Sequence, residues 1–399
     1  MSEVRAQYEA YPYPSRDPQE ERKRLITGSP SHVLEVDHFV FQGARDWSRP
    51  LRVLVAGGGT GDGLIQLAQQ MAEAGRVAEI VYLDLSTASR AIAEKRARVR
   101  GLTGIRFVTG SLMDATEHGE FDYIDCCGVL HHLPDPAAGF RALLAALAPG
   151  GGMGFMVYAP YGRSGVYPLQ EAFGALYEGL PPEARLRAAK KLVADLPEGH
   201  PFACNPNLGD HKDSEAGFYD LLLHSQDRAF DVAALVAILE ETGWHLSGFT
   251  MPALYDPGRI TEVPDHLSPV ARMAVAEKLR GTIKTHVGYA VRGLEARSPA
   301  KGTNRALVPH LKGVRAGDLA RAVSAGQSPK LGFGGMRARL SLPREAGRLI
   351  AAVDGRRSLS EIAQATGTDP LAMGALWARI ERELGDYGLM LYSSILRRG

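Results

Sequence analysis

Over the first 160 residues, short apolar runs that end in glycine or an acid alternate with segments whose apolar positions recur every three to four residues. The runs near 52–56, 79–84, 105–109, 121–127 and 153–158 have the length and composition of buried strands, and helical segments begin near Asp62, Thr87 and Pro136. This alternation predicts an α/β fold with a parallel sheet covered on both faces, because each parallel crossover has to run back over the sheet. Beyond Pro160 the alternation stops. Val166–Leu196 reads as helices with Leu169, Phe173, Leu176 and Tyr177 at helical spacing, so a helical insertion over about 160–230 is expected as a lid on one sheet edge. The helical stretch Asp231–Trp244, stopped by Gly243, the strand candidate His245–Thr250 and the late strand Lys284–Val291 would complete the sheet.

The organisation that follows is an N-terminal arm or cap over 1–50, a main domain over 51–294, a polar linker containing proline and glycine over 295–304, and a small C-terminal module over 305–399. In the module, KLGFGGMRARLSL predicts a short hairpin, and three helices follow with Ser358 and Asp369 as N-caps, a pattern that looks like a winged helix.

Within this frame, RVLVAGGGTGDG (Arg52–Gly63) carries the candidate chemistry. A strand runs into Gly57, Gly59 and Gly61 and then into a helix, a layout that brings backbone amides close to a small molecule at the C-terminal edge of a parallel sheet. The spacing is G-x-G-x-G; it matches the dinucleotide pattern in no register and lacks the Lys-Ser/Thr pair of a phosphate-binding P-loop. About twenty residues on, EIVYLDLS puts Asp84 at the tip of the second strand, where an acid can accept both hydroxyls of a ribose.

With AGGGTGDG, YLDLS, FDYIDCCGVLHHLPDPAAGFRALLAAL and YDLLLHSQDRAF, the chain resembles class I S-adenosylmethionine (SAM) dependent methyltransferases over roughly Tyr8 to Arg292. It is most like a bacterial group often fused to tetratricopeptide repeats, which are absent here. The resemblance implies a Rossmann-like sheet, SAM as cofactor and a set of cofactor contacts. These are Gly57, Gly58, Gly59 and Gly61 under the methionine part, Asp84 with Leu85 at the ribose, Ser111 with Leu112 at the adenine, and Gly128 after the fourth strand. Ala56 and Ser111 stand where many relatives carry acids, so carboxylate contacts to the amino group and adenine are not expected. It also implies a substrate side at the histidines after the fourth strand. There His131 and His132 stand side by side, and a histidine can take a proton from an acceptor near neutral pH, with His131 the candidate catalytic residue. His224 in YDLLLHSQDRAF, with Tyr219 and Arg228 nearby, is a second candidate in a polar cluster where the lid would face the substrate. Tyr11, in the proline-spaced arm YEAYPYPSRDP, is expected to border the same pocket.

Composition narrows the partners. In 399 residues, 46 Lys and Arg offset 45 Asp and Glu, which disfavours nucleic acid as a substrate and leaves a small molecule or a peptide or protein side chain. A homodimer through the C-terminal module fits its mixed-charge helices. Three cysteines, Cys126, Cys127 and Cys204, give neither a disulfide framework nor a zinc pattern, so no metal is expected. Without a signal core or a long apolar run, a cytoplasmic location with no membrane contact is expected. The functional expectation is methyl transfer to an O, N or C nucleophile; the competing one is a SAM-binding regulator whose C-terminal module binds DNA or a protein partner.

Overall fold

In the computed structural model, residues 3–333 and 336–397 are described. The chain begins with a helix, α1 (Glu3–Ala10), so the front of the proline-spaced arm is helical rather than extended. After α2 (Val33–Val40), the predicted alternation appears: β1 (Leu51–Ala56), α3 (Asp62–Glu73), β2 (Ala78–Asp84), α4 (Thr87–Val99), β3 (Ile105–Thr109), β4 (Phe121–Cys127), α5 (Pro136–Ala145) and β5 (Leu147–Tyr158). The insertion supplies α6 (Val166–Leu176), α7 (Pro182–Ala194), α8 (Asp210–Asp213) and α9 (Glu215–Leu222). Then α10 (Val232–Glu241), β6 (Trp244–Phe249), α11 (Pro269–Arg280) and β7 (Thr285–Arg292) close the sheet.

The seven strands lie in the order β3-β2-β1-β4-β5-β7-β6. β1 to β5 are parallel, and β7 runs antiparallel to both its neighbours. Because β1 to β5 point the same way, their C-terminal ends share one edge, and the loops that follow them converge there. One boundary differs from the sequence reading. β5 starts at Leu147, well before 153, because the glycine run 150–152 is strand and not turn. A Cβ on Gly152 would sit 2.8 Å from a Val40 methyl, so the missing side chain is what lets α2 cross the sheet closely. The register against β4 shifts between Phe121 and Tyr123 to absorb the extra residues.

Each sheet face buries its own core. On one face Val53, Val55, Leu64, Leu67 and Tyr82 pack with α2 and α3; on the other Leu54, Phe140, Leu143, Leu235 and Trp244 pack with α5 and α10. The insertion forms a separate cluster around Leu169, Phe173, Leu186, Phe218 and Leu222. Cys126 and Cys127 are free thiols, with Cys126 buried in β4. No helix among the described residues is long and apolar enough to cross a membrane.

The C-terminal part contains β8 (Pro309–Leu311), α12 (Ala316–Ser324), the antiparallel pair β9 (Lys330–Phe333) and β10 (Met336–Arg339), α13 (Ala346–Ala351), α14 (Leu359–Thr366), α15 (Pro370–Gly385) and β11 (Met390–Tyr392). The expected hairpin is present, its tip Gly334–Gly335 lying outside the described residues. Ser358 caps α14 in a capping box with Glu361, and Asp369 caps α15.

The expected linker at 295–304 is not a free tether. Arg297 donates to the carbonyls of Val40, Gly150 and Gly151, and the Ala300 amide donates to His38. Leu391 and Ile395 belong to the same core as β1 and α2, and the buried carboxylate of Asp37 accepts from Ser393, Ser394 and Trp47. Composition marks polar segments, but it does not register that their hydrogen bonds are spent on the neighbouring domain.

Candidate active site

At the shared edge the backbone after β1 turns through Gly57, whose φ of +71° suits glycine and whose missing Cβ avoids Val129, 2.4 Å from where it would lie. Val129 follows Gly128 on the turn after β4, so the glycine loop and the double-histidine turn are in direct contact. Asp84 at the end of β2 accepts from the amides of Gly59 at 2.7 Å and Ser86 at 2.8 Å. Burial raises its pKa, while those two amides oppose the rise. Leu85 is exposed beside it. Ser111 uses its hydroxyl to accept from the Met113 amide, and Leu112 turns its side chain into the core.

The N-terminal arm lies across this loop. The Tyr13 carbonyl is 3.1 Å from the position of a Gly59 Cβ, and Thr60 donates to the Pro14 carbonyl at 2.7 Å. Arg16 binds Asp62, the first residue of α3, at 2.6 Å, and the buried Arg96 joins Asp62 to Glu21. Burial alone would raise the Asp62 pKa, but Arg16 and Arg96 hold it below the ordinary value.

Alongside the loop, four segments bury a polar cluster. His131 and His132 come from the turn after β4, Tyr158 from the end of β5, Arg163 from the turn before α6, and Asp220, His224 and Asp227 from α9 and its exit. Asp220 accepts from the Tyr8 and Tyr158 hydroxyls, each at 3.0 Å. Burial raises its pKa, opposed by His132 and the two hydroxyls. His132 and His224 stack at 3.7 Å, and His131 lies 3.9 Å from the Tyr158 ring. Arg163 sits 3.6 Å over Tyr158 and pairs with the buried Asp227 at 3.1 Å. Burial pushes the pKa of both His131 and His224 well below that of a free imidazole, so both rings are neutral at pH 7.

His131 and His224 are therefore brought into one cluster, bridged by His132. Tyr11 is not part of it: its ring stacks on Tyr219 at 5.0 Å and packs with the insertion core. Tyr8, three residues earlier and one turn back on α1, takes that place because its side chain leaves the helix toward α9. Arg228 turns to Phe230, its guanidinium 5.7 Å from that ring. Sequence reasoning placed His132 beside His131 on the substrate side, but it missed Tyr8, Tyr158, Arg163, Asp220 and Asp227. The i, i+4 spacing of Asp220 and His224 was the available signal, since it puts both on one side of a helix and its exit.

Two groups bring three possible metal ligands within 4.8 Å of one another, His131 with His132 and Asp227, and His132 with Asp220 and His224. In the second, the rings stack 14° from parallel, so their in-plane lone pairs run side by side instead of converging. In the first, the Arg163 guanidinium on Asp227 adds a positive charge where a cation would sit.

The glycine amides and the carboxylate at the tip of β2 suit the amino-acid and ribose parts of a nucleoside cofactor. Residues 54–153 match the family profile described as a methyltransferase domain. An uncharacterized protein of a Synechococcus strain is 31% identical over 278 residues, covering 66% of this chain and 63% of that protein. The ubiquinone biosynthesis O-methyltransferase of Methylococcus capsulatus is 35% identical over 94 residues, 23% of this chain and 38% of that enzyme. The chain thus spans less than two-thirds of the length of these relatives. PKMT2 from Rickettsia typhi, solved in complex with AdoHcy, shares the fold at a TM-score of 0.58 and 14% identity, over 90% of this chain and 74% of that one. With the strand order, the glycine loop and Asp84 in place, these matches establish that the chain carries a class I S-adenosylmethionine-dependent methyltransferase domain.

Proposed function

We propose that the chain transfers the methyl group of SAM to an O, N or C nucleophile of a small metabolite or of a peptide or protein side chain. The observation that carries this reading is the contact between the two halves of the edge: Val129 packs on Gly57, and two residues later the chain enters the buried histidine cluster. The cofactor supplies a methyl carbon already activated by a sulfonium. Gly57, Gly59 and Asp84 would hold its amino-acid and ribose parts, leaving the histidine turn beside its reactive end. Positioning by such a site can supply up to ~7–11 kcal/mol of barrier lowering. The cluster around Asp220 would orient the acceptor and exclude water, since its side chains are buried and mutually hydrogen-bonded.

In the same reading, the C-terminal hairpin and helices form a winged-helix-like unit that docks substrate or a second copy of the chain, and the protein works in the cytoplasm. The test is label transfer from methyl-labelled SAM to pooled phenols, amines and peptides, with calorimetry of SAM binding alongside. Binding with transfer to one pool supports the proposal; binding with no transfer to any pool favours the regulator.

A further inference from the structure

We propose that Nε2 of His132 takes the proton of the methyl acceptor, and that the peptide of Gln226 selects this nitrogen by holding His132 and His224 in opposite tautomers. The inference rests on the methyl-transfer reading above. An amide N–H can only donate and a carbonyl can only accept. The Gln226 N–H donates to Nδ1 of His224 at 3.0 Å, so that nitrogen carries the lone pair and the ring proton sits on Nε2, 3.2 Å from the Tyr8 oxygen. Tyr8 in turn donates to Asp220 and is left free to accept from His224. The Gln226 carbonyl lies 2.9 Å from Nδ1 of His132, so this nitrogen carries the proton and the lone pair of the neutral ring falls on Nε2. Two stacked imidazoles therefore present a donor on one ring and an acceptor on the other.

No hydrogen bond to Nε2 of His132 is formed among the described residues. The charged and titratable groups around the ring are His131 on its own turn, Tyr158 from β5, Asp220 from α9, His224 and Asp227 beyond it, Tyr8 from α1, and Arg163 behind Tyr158. Asp220 is placed to stabilise the imidazolium that forms on proton transfer. His131 lacks such control, for both its ring nitrogens are buried without a hydrogen-bond partner among the described residues, and none of these fixes its tautomer. In the step, the acceptor atom bonds to the methyl carbon as the carbon–sulfur bond breaks, the electron pair staying on sulfur. The acceptor's proton moves to Nε2 and is released to water once product leaves.

Nitrogen NMR of the full chain with 15N-labelled histidine reads both tautomers directly, with His132→Asn and His224→Asn used to assign the signals. The expected result is protonated Nδ1 on His132 and protonated Nε2 on His224; the reverse pattern, or both rings protonated on the same atom, overturns the proposal. Should either variant fail to fold, assignment through labelled carbon on the wild type gives the same readout. His132→Asn keeps a donor for the Gln226 carbonyl but removes the basic nitrogen. Label transfer to the responsive pool should then fall about 10²- to 10⁴-fold and lose its rise with pH, while SAM affinity stays within about twofold. Transfer within threefold of wild type, with an unchanged pH profile, also overturns it. Absent SAM binding by the wild type would instead sink the methyl-transfer reading and leave the tautomer result standing.

Discussion

The half of the edge proposed to hold the cofactor and the half proposed to face the acceptor are built in different ways. Between Gly57 and Leu112 the cofactor half consists of strand tips and backbone amides, and the contact between Asp84 and the Gly59 amide spans only 25 residues. The acceptor half is made of side chains brought together over separations of 62 residues for Tyr158 with Asp220 and 216 for Tyr8 with His224. A site made of backbone tolerates change in the side chains around it, whereas a site made of buried polar side chains fails when one partner is lost. Tyr8 joins the halves, since its carbonyl accepts from Ser86 at the end of β2 while its hydroxyl reaches Asp220.

The contrast is tested most severely at Arg163. Replacing it with alanine leaves Asp227 buried without its cation, and breaking such a pair costs about 3–5 kcal/mol, to be read from urea denaturation. A loss under about 1 kcal/mol would mean that the acceptor half is far more plastic than its burial implies.

The next largest effect is a gain, under the cofactor half. Asp125 on β4 is buried behind Ser31, and its Oδ2 has no partner among the described residues. Burial lifts its pKa from 3.8 to about 6. Well below pH 3.8 the group is protonated in both folded and unfolded chains and costs nothing. As pH rises toward 6 the unfolded chain releases its proton first, and the folded state is penalised by about 3 kcal/mol at ~1.4 kcal/mol per pH unit. Asp125→Asn should therefore stabilise the fold by about that amount at pH 7 and by nothing well below pH 3.8; equal gains under both conditions would remove the titration as the cause.

Asp84→Ala should weaken SAM binding about ten- to hundredfold by calorimetry, the worth of charge-assisted bonds of roughly 1.5–3 kcal/mol. Unchanged affinity in the folded variant would displace the ribose from the tip of β2. The smallest effect is expected from Tyr8→Phe. It removes one donor to Asp220 and the oxygen 3.2 Å from Nε2 of His224, and should cost about 1–2 kcal/mol of stability, yet leave SAM affinity within about twofold because the backbone carbonyl still meets Ser86. A larger drop in SAM affinity would show that the two halves are coupled through the arm.

The sequence by itself determined the sheet, the glycine loop, Asp84 and the helix caps at Ser358 and Asp369. These follow from local rules: apolar periodicity, the conformations open to glycine, and side chains that reach amides two or three residues away. It also marked His131, His132 and His224 through their places in sequence motifs. Only the tertiary structure decided that Tyr8 and not Tyr11 meets the histidines, that His132 stacks on His224, and that Asp220 and Arg163 are buried beside them. It alone showed that residues 295–304 are clasped by α2 and β5, and that Leu391 and Ile395 share the sheet's core. Local rules end where the direction of a side chain depends on which helix packs against it. A one-turn difference between Tyr8 and Tyr11 is invisible until the insertion closes over the arm.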